Sequence, residues 1–296
     1  MKNILITGGT GFVGKEIIDQ LEKAGYHTAV LSRQKSISGI KSFYWNYKTG
    51  ELEEEALKFA EVIIHLAGEN ISKKRWSPQQ KQEIYNSRIL STRLLYNKIK
   101  ETGYIPQKFI AASAIGYYGT ETGEHIFSEN DPPGNDFLAS VVKDWEKESL
   151  RFKSLHIPVV IYRIGVVFSV DGGALKEMLK PLKFKLSFTL GNGEQYLAWV
   201  SKTDLAKAFV FAIENQNVEG IYNVVAPESM KQKELSRLLA SKYGAAVVPF
   251  AIPQRLLELL KGEMSSIILK GSRVSSEKLQ QEGFVFSYKS VKDLFD

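Results

Sequence analysis

The chain of 296 residues contains no cysteine, which excludes disulfides, zinc–thiolate centres and thiol nucleophiles. Histidine is scarce as well: His27, His65, His125 and His156 are scattered without ligand spacing, so no metal site is expected. His65 lies inside an apolar run and reads as a core residue. No hydrophobic stretch approaches the roughly 18 residues of a membrane span, and no repeat or low-complexity segment interrupts the chain. The amino terminus begins as a core strand and lacks the pattern of a signal peptide. A cytoplasmic location without membrane partners is therefore the expectation. The net charge of +6 is dispersed among carboxylates. Its densest cluster, Lys73-Lys74-Arg75 beside Trp76, reads as a solvated rim, so no nucleic-acid partner is expected.

What is present starts at once. The run Ile4-Leu5-Ile6-Thr7 enters Gly8-Gly9-Thr10-Gly11-Phe12-Val13-Gly14. Gly9, Gly11 and Gly14 satisfy a G-x-G-x-x-G pattern, and Gly8, Gly11 and Gly14 give the looser G-x-x-G-x-x-G spacing. Phe12, Val13, Ile17, Ile18 and Leu21 then follow helical periodicity. A buried strand turning tightly into a helix presents free N–H groups and a positive dipole end to phosphate oxygens, while glycine lets the backbone approach a ligand closely. Gly8, Thr10, Gly11, Phe12, Val13 and Gly14 are thus candidates for binding a dinucleotide. The second strand, Thr28–Leu31, leads into Ser32-Arg33, where an NAD enzyme usually carries Asp or Glu for the ribose hydroxyls. A guanidinium cannot accept those bonds, but it pairs with a 2′-phosphate, and a serine hydroxyl adds another bond. The expected cofactor is NADP(H), held there by Ser32 and Arg33.

Further along, strands and helices alternate to about residue 165. Val62–Leu66 reads as a parallel strand buried on both faces, ending at Ala67-Gly68. A long helix fits 79–101, a strand 109–112, a helix about 136–153 and a strand 159–162. The pattern predicts an α/β fold: a doubly wound parallel sheet of the Rossmann kind with a smaller α+β carboxy-terminal substrate lobe. The expected divisions are 1–165 for the dinucleotide domain, 166–245 for substrate-side and returning elements, and 246–296 for a carboxy-terminal domain. Turns fall at Asp171-Gly172-Gly173 and Leu190-Gly191-Asn192-Gly193. The leucines at 256–260 have the spacing of helix packing in a core or lobe, with an oligomer or partner contact as the secondary reading.

Several segments together resemble the extended short-chain dehydrogenases, the superfamily of sugar-nucleotide epimerases and dehydratases. They are TGGTGFVG at 7–14, HLAGEN at 65–70, SAIGYYG at 113–119 and WVSKTDLA at 199–206. With Ser32-Arg33, Asp136-Phe137, Trp145-Glu146, DGGAL at 171–175 and YNVVAP at 222–227, the set resembles the atypical "epimerase family protein" group over essentially the whole chain. The resemblance implies that Leu66, Ala67 and Gly68 border the adenosine half of the cofactor, that Glu83 and Arg88 face it, and that Gly165 lies near the nicotinamide. It also implies a small-molecule substrate, a nucleotide sugar among the options, and pairing as a homodimer through the helices at 79–101 and 136–153.

The resemblance also exposes a departure. Extended members usually carry Tyr-x-x-x-Lys on the helix after the fifth strand, the tyrosine serving as acid or base. Here the matching segment is Phe137-Leu138-Ala139-Ser140-Val141, and Lys143 falls on another side of the helix. The usual serine position aligns with Ala114, one residue after Ser113. Ser113, Tyr117 and Tyr118 remain the candidates for proton transfer. Three readings stay open: an NADP-dependent reductase or epimerase-like enzyme with a substitute proton donor, a non-catalytic NADP(H)-binding redox sensor or regulator, and a hydride-transfer enzyme needing no tyrosine acid.

Overall fold

A computed structural model of the chain describes residues 2–120 and 123–295. Eight strands form one sheet: β1 (Asn3–Thr7), β2 (His27–Ser32), β3 (Ser42–Asn46), β4 (Glu51–Leu52), β5 (Val62–His65), β6 (Lys108–Ala114), β7 (Val159–Ile164) and β8 (Gly220–Val224). Their spatial order is β8-β7-β6-β5-β1-β2-β3-β4, parallel throughout except for the edge strand β4. The order reverses at β1, so the crevice at the carboxyl ends of β1 and β5 is the position at which such sheets take ligands.

Alternation along each strand sends side chains to two cores. Ile4, Ile6, Val30, Ile64, Val160 and Tyr162 pack against α1 (Phe12–Lys23) and a later helix, α6 (Lys202–Glu214), through Ile17, Leu21, Leu205 and Phe209. Leu5, Leu31, Ile63, Phe109 and Ile161 face the opposite way. They pack against α2 (Glu54–Phe59) and α3 (Pro78–Thr102) through Leu57, Leu95 and Ile99. The α3 helix starts where Ser77 accepts a hydrogen bond from the Gln80 N–H at 3.2 Å and Pro78 occupies the first turn, and it ends on Gly103 at φ 74°. The next helix, α4 (Phe137–Leu150), packs beside α3 and is followed by a 3-10 turn over Arg151–Leu155.

A third cluster builds the lobe, where Phe168, Leu175, Leu182 and Trp199 meet Leu235 and Leu239. These residues join α5 (Gly173–Leu179) to α7 (Gln232–Tyr243). Among the described residues, the segment after 245 packs into the cores already formed. Leu279, Phe284 and Phe286 enter the core beside α6, Met264 packs with Trp76 and Ile84, and Val291 joins the lobe. The expectation that the leucines at 256–260 pack into a core or lobe is corrected: α8 (Gln254–Lys261) contains no buried residue, and Leu259 and Leu260 are 72% and 62% exposed.

Asp204 anchors the tail. It is fully buried on α6, and its two carboxylate oxygens accept the Ser287 and Tyr288 N–H groups, each at 2.9 Å. Asp204→Ala leaves both donors without an acceptor and should cost roughly 3 kcal/mol. The urea midpoint will report the loss, and hydrogen exchange at 287–288 will accelerate with it.

Candidate functional site

The carboxyl ends of β1, β2, β5, β6 and β7 converge on one edge of the sheet. After β1 the chain turns at Gly8, with φ +68°, and the Gly11 N–H donates to the Gly8 carbonyl at 3.0 Å. A Cβ on Gly14 would stand 2.4 Å from that same carbonyl and 2.6 Å from the Gly9 Cα, so only glycine lets α1 start this close to the strand. Gly11 caps α1 with no side chain, leaving first-turn N–H groups directed out of the helix end. Thr10 and Gly11 are exposed, and Val13 is half-buried. The Phe12 ring lies where a Cβ of Gly172 would be, 2.3 Å away, so the 171–173 turn closes directly over the glycine loop. Lys202 fastens that turn by binding Asp171 at 2.8 Å and Glu16 at 3.4 Å.

At the end of β2, the Ser32 hydroxyl accepts the Gln34 N–H at 3.0 Å. Arg33 is exposed, and no hydrogen bond or ion pair among the described residues engages its guanidinium. Glu83 does not stand open to this edge: its carboxylate accepts from the Tyr47 hydroxyl at 2.8 Å and from Lys48 at 2.9 Å. The Lys48 bond holds the Glu83 pKa down, with the Tyr47 bond and the Arg33 charge adding to it.

The end of β5 is organised by a buried hydroxyl. Thr7 Oγ1 accepts the Leu66 and Ala67 N–H groups at 3.0 and 3.1 Å, so its own proton goes to His65 Nδ1 at 2.8 Å. The Nε2–H of His65 therefore points at Thr92 Oγ1, 3.0 Å away. Burial pushes the His65 pKa down to about 3, so the ring is neutral and structural. Leu66 and Ala67 are half-buried and Gly68 is exposed at the lip. Arg88 pairs with no carboxylate among the described residues. Its Nη1 donates to the carbonyls of Glu69 at 3.2 Å and Ile84 at 3.0 Å, and its guanidinium lies over Trp145 and directly behind Gly68. Burial lowers its pKa to about 10.

Of the three candidates for proton transfer, two are committed to a buried network. Ser113 donates to Glu146 Oε1 at 2.6 Å. Glu146 is paired with Arg163 through bonds of 2.8 and 2.9 Å, and both side chains are nearly inaccessible. Arg163 also donates to the Tyr118 hydroxyl at 3.0 Å, which in turn donates to Asn223 at 2.7 Å. Burial drives the Tyr118 pKa up to about 12. Tyr117 differs: it is half-buried, its ring is covered by the Arg163 guanidinium 3.4 Å from the centroid, and its hydroxyl meets no hydrogen-bond partner among the described residues. Gly165 is needed for packing, since a Cβ there would lie 2.7 Å from the Ala198 carbonyl and 2.8 Å from Val225.

The start of α4 is apolar. Leu138 and Val141 are buried with Trp76, Ile84 and Met264, and Phe137 meets Trp76 edge-on at 5.5 Å. Lys143 is exposed. Sequence reasoning did not pair Glu146 with Arg163, although a charge inside the otherwise apolar β7 was the available signal. Among the described residues, no cluster of three His, Asp or Glu side chains is arranged to hold a metal, and no helix is long and apolar enough to cross a membrane.

Comparison with known proteins places this architecture. Residues 4–225 match the NAD dependent epimerase/dehydratase family, and residues 252–296 match a domain of unknown function, DUF1731. The chain belongs to that epimerase/dehydratase family. It is 34% identical to an epimerase family protein of Staphylococcus aureus, over 99% of this chain and 97% of the relative. An epimerase family protein of Staphylococcus haemolyticus is 35% identical over 100% and 98%. Among solved structures, the human epimerase family protein SDR39U1 with NADPH superposes with a TM-score of 0.88 at 26% identity, covering 99% of this chain and 97% of that one. A Thermotoga maritima UDP-glucose 4-epimerase with UDP-glucose shares the fold at a TM-score of 0.81 and 20% identity, covering 98% and 95%.

The neutral His65 gives a pH prediction. Between its folded value of about 3 and the ordinary 6.5, the unfolded chain binds a proton that the folded chain does not. Stability is therefore fully present above 6.5 and falls as the pH drops towards 3, by up to about 1.4 kcal/mol per pH unit. Denaturant melts at pH 4–6 should show His65→Gln with a flatter dependence than the wild type.

Proposed function

We propose that the protein is an NADP(H)-dependent oxidoreductase with epimerase-like architecture, working without the tyrosine–lysine pair of its wider superfamily. The observation that carries the reading is Arg33, an exposed guanidinium that makes no hydrogen bond or ion pair among the described residues, beside Ser32 at the end of β2. That charge suits a 2′-phosphate and not the ribose hydroxyls of NAD. The human relative solved with NADPH supports the same choice. The residues present fit the group: Gly14 lets α1 start directly against the Gly8–Gly9 turn, and the first turn of α1 has no side-chain cap, so its N–H groups remain open to an anion.

In this reading the N–H groups from Gly8 to Gly14 hold the pyrophosphate, with Thr10, Phe12 and Val13 at its border. Arg33 and Ser32 take the 2′-phosphate, and Leu66, Ala67 and Gly68 flank the adenosine half. The bound nicotinamide supplies hydride exchange with a carbonyl or carbinol carbon. Tyr117 gives or takes the proton at the reacting oxygen, because its hydroxyl is uncommitted. Ser113 and Tyr118 act through the buried pair and do not transfer protons. Glu83 and Arg88 shape the β5 edge without contacting phosphate, and Gly165 sets the packing behind the nicotinamide side. Nucleotide sugars are the substrate class to test first, since the family is one of epimerases and dehydratases and a structural neighbour was solved with UDP-glucose. Assembly as a homodimer through α3 and α4 belongs to the same proposal, as does a cytoplasmic location.

A second reading, a non-catalytic NADP(H)-responsive regulator, is favoured by one observation: the start of α4 is filled by Phe137, Leu138, Val141, Trp76 and Met264 in place of an acid and a cation. Calorimetric titration separates cofactor choice from chemistry. Arg33→Ala should weaken NADPH roughly 10- to 100-fold while leaving NADH unchanged. Equal losses for both cofactors would overturn the 2′-phosphate assignment. Stopped-flow oxidation of NADPH across carbonyl and nucleotide-sugar panels tests turnover. Tyr117→Phe should abolish it at unchanged NADPH affinity, and full activity in that variant would remove Tyr117 from the mechanism.

A further inference from the structure

Outside the dinucleotide crevice, the described surface carries one concentration of large apolar side chains that the fold leaves uncovered. Phe184 is 80% exposed, Phe250 70%, Leu259 72% and Leu260 62%, with Leu186, Val247 and Leu256 near 40%. They come from two stretches that the backbone ties side by side. The Ala246 N–H donates to the Lys185 carbonyl at 2.9 Å, the Val248 N–H to Ser187 at 2.9 Å and the Ile252 N–H to Thr189 at 2.8 Å. Helix α8 follows directly, with Leu256, Leu259 and Leu260 at i, i+3 and i+4 on one face.

The charges interleaved with these side chains are mostly positive. Residues 180–186 and 246–261 together carry Lys180, Lys183, Lys185, Arg255 and Lys261 against the carboxylate Glu258. Glu177, just outside, is bound to Lys180. An isologous contact with a second copy would set this patch against itself and bring cations onto cations. The side chains protrude, as suits insertion into a fluid layer, and an amphipathic helix with basic flanks and an apolar face is the arrangement that lies in a lipid interface.

We propose that this surface, the 180–186 and 246–250 strips with α8, docks the protein on an anionic phospholipid membrane. Phe184, Phe250, Leu259 and Leu260 insert at the level of the acyl chains, and the lysines meet the headgroup phosphates. The docking is peripheral, in keeping with the absence of a spanning helix among the described residues. It does not depend on the proposed reaction.

Co-sedimentation of the full chain with vesicles tests it, using phosphatidylglycerol and phosphatidylcholine at 30:70 beside pure phosphatidylcholine. Binding to the anionic vesicles at 0.1 M salt is expected to exceed binding to the neutral ones at least tenfold and to weaken in 0.5 M salt. Leu259→Ser with Leu260→Ser should lower it at least tenfold, and so should Lys183→Glu with Lys185→Glu. All four positions are exposed, so both variants should keep the NADPH affinity of the wild type, which confirms that they fold. Absence of sedimentation with anionic vesicles overturns the proposal, as does wild-type binding by both folded variants. A doubled solution mass abolished by the leucine variant, without vesicle binding, would overturn it in favour of a second copy.

Discussion

Arg163 stands near the carboxyl end of β7, one strand in from the edge of the parallel sheet, with 1% of its surface exposed, and much of this end of the sheet is arranged around the need to match that charge. Removing a guanidinium from water is tolerable only when a carboxylate and several hydrogen-bond acceptors replace the solvent. Glu146 supplies the carboxylate from α4, while Tyr118 and the Glu129 carbonyl accept from Nη1. The Tyr117 ring covers the flat face. Asn223 then brings β8 into the same cluster by accepting from Tyr118 and by donating its backbone N–H to the Glu129 carboxylate. One buried ion pair thus couples α4, β6, β7 and β8 and fixes the plane of the one candidate hydroxyl that remains uncommitted.

The other half of the edge rests on neutral chemistry. Thr7 and His65 form a relay of hydroxyl and imidazole groups that ends on α3 through Thr92, and every proton in it has one consistent direction. This relay holds Leu66 and Ala67 in the turn beside the glycine loop. A charged His65 would disrupt it, and burial prevents that charge from forming at neutral pH. The two halves differ for a physical reason. The dinucleotide side needs a fixed backbone surface, which hydroxyls and glycine provide, whereas the β6–β8 side keeps a permanent positive charge below the surface.

The sheet was readable in the sequence because strand and helix periodicities are local. Ile4–Thr7, Thr28–Leu31 and Val62–His65 are short apolar runs that a two-faced parallel sheet requires, and the structure pairs them in register. What was not readable depends on contacts across the fold. The link between Glu146 and Arg163 spans 17 residues, and nothing in either segment names the other. Glu83 lies on α3, and the Tyr47–Lys48 turn, brought in by β3 and β4, engages its carboxylate. Arg88 has the reach for a phosphate and spends its bonds on carbonyls instead. The leucines of α8 show the same limit. Their spacing reveals an apolar face but carries no information about what covers it, and the fold supplies nothing.

The apolar start of α4 constrains any chemistry at this edge. With Phe137, Leu138 and Val141 packed on Trp76 and Met264, a charged group placed among them would lose its hydration without compensation, so the first turn of α4 does not hold a charged acid or base while keeping this packing. A donor must then stand where water or a committed polar partner can reach it. Along the β6 exit, Ser113 and Tyr118 have spent their hydroxyls on Glu146 and Asn223. Tyr117 alone of the three combines partial exposure, an unengaged hydroxyl and a ring held by a fixed cation. The turn after β6 thus carries the uncommitted hydroxyl of this edge, and the buried ion pair beneath that turn holds its ring in one place.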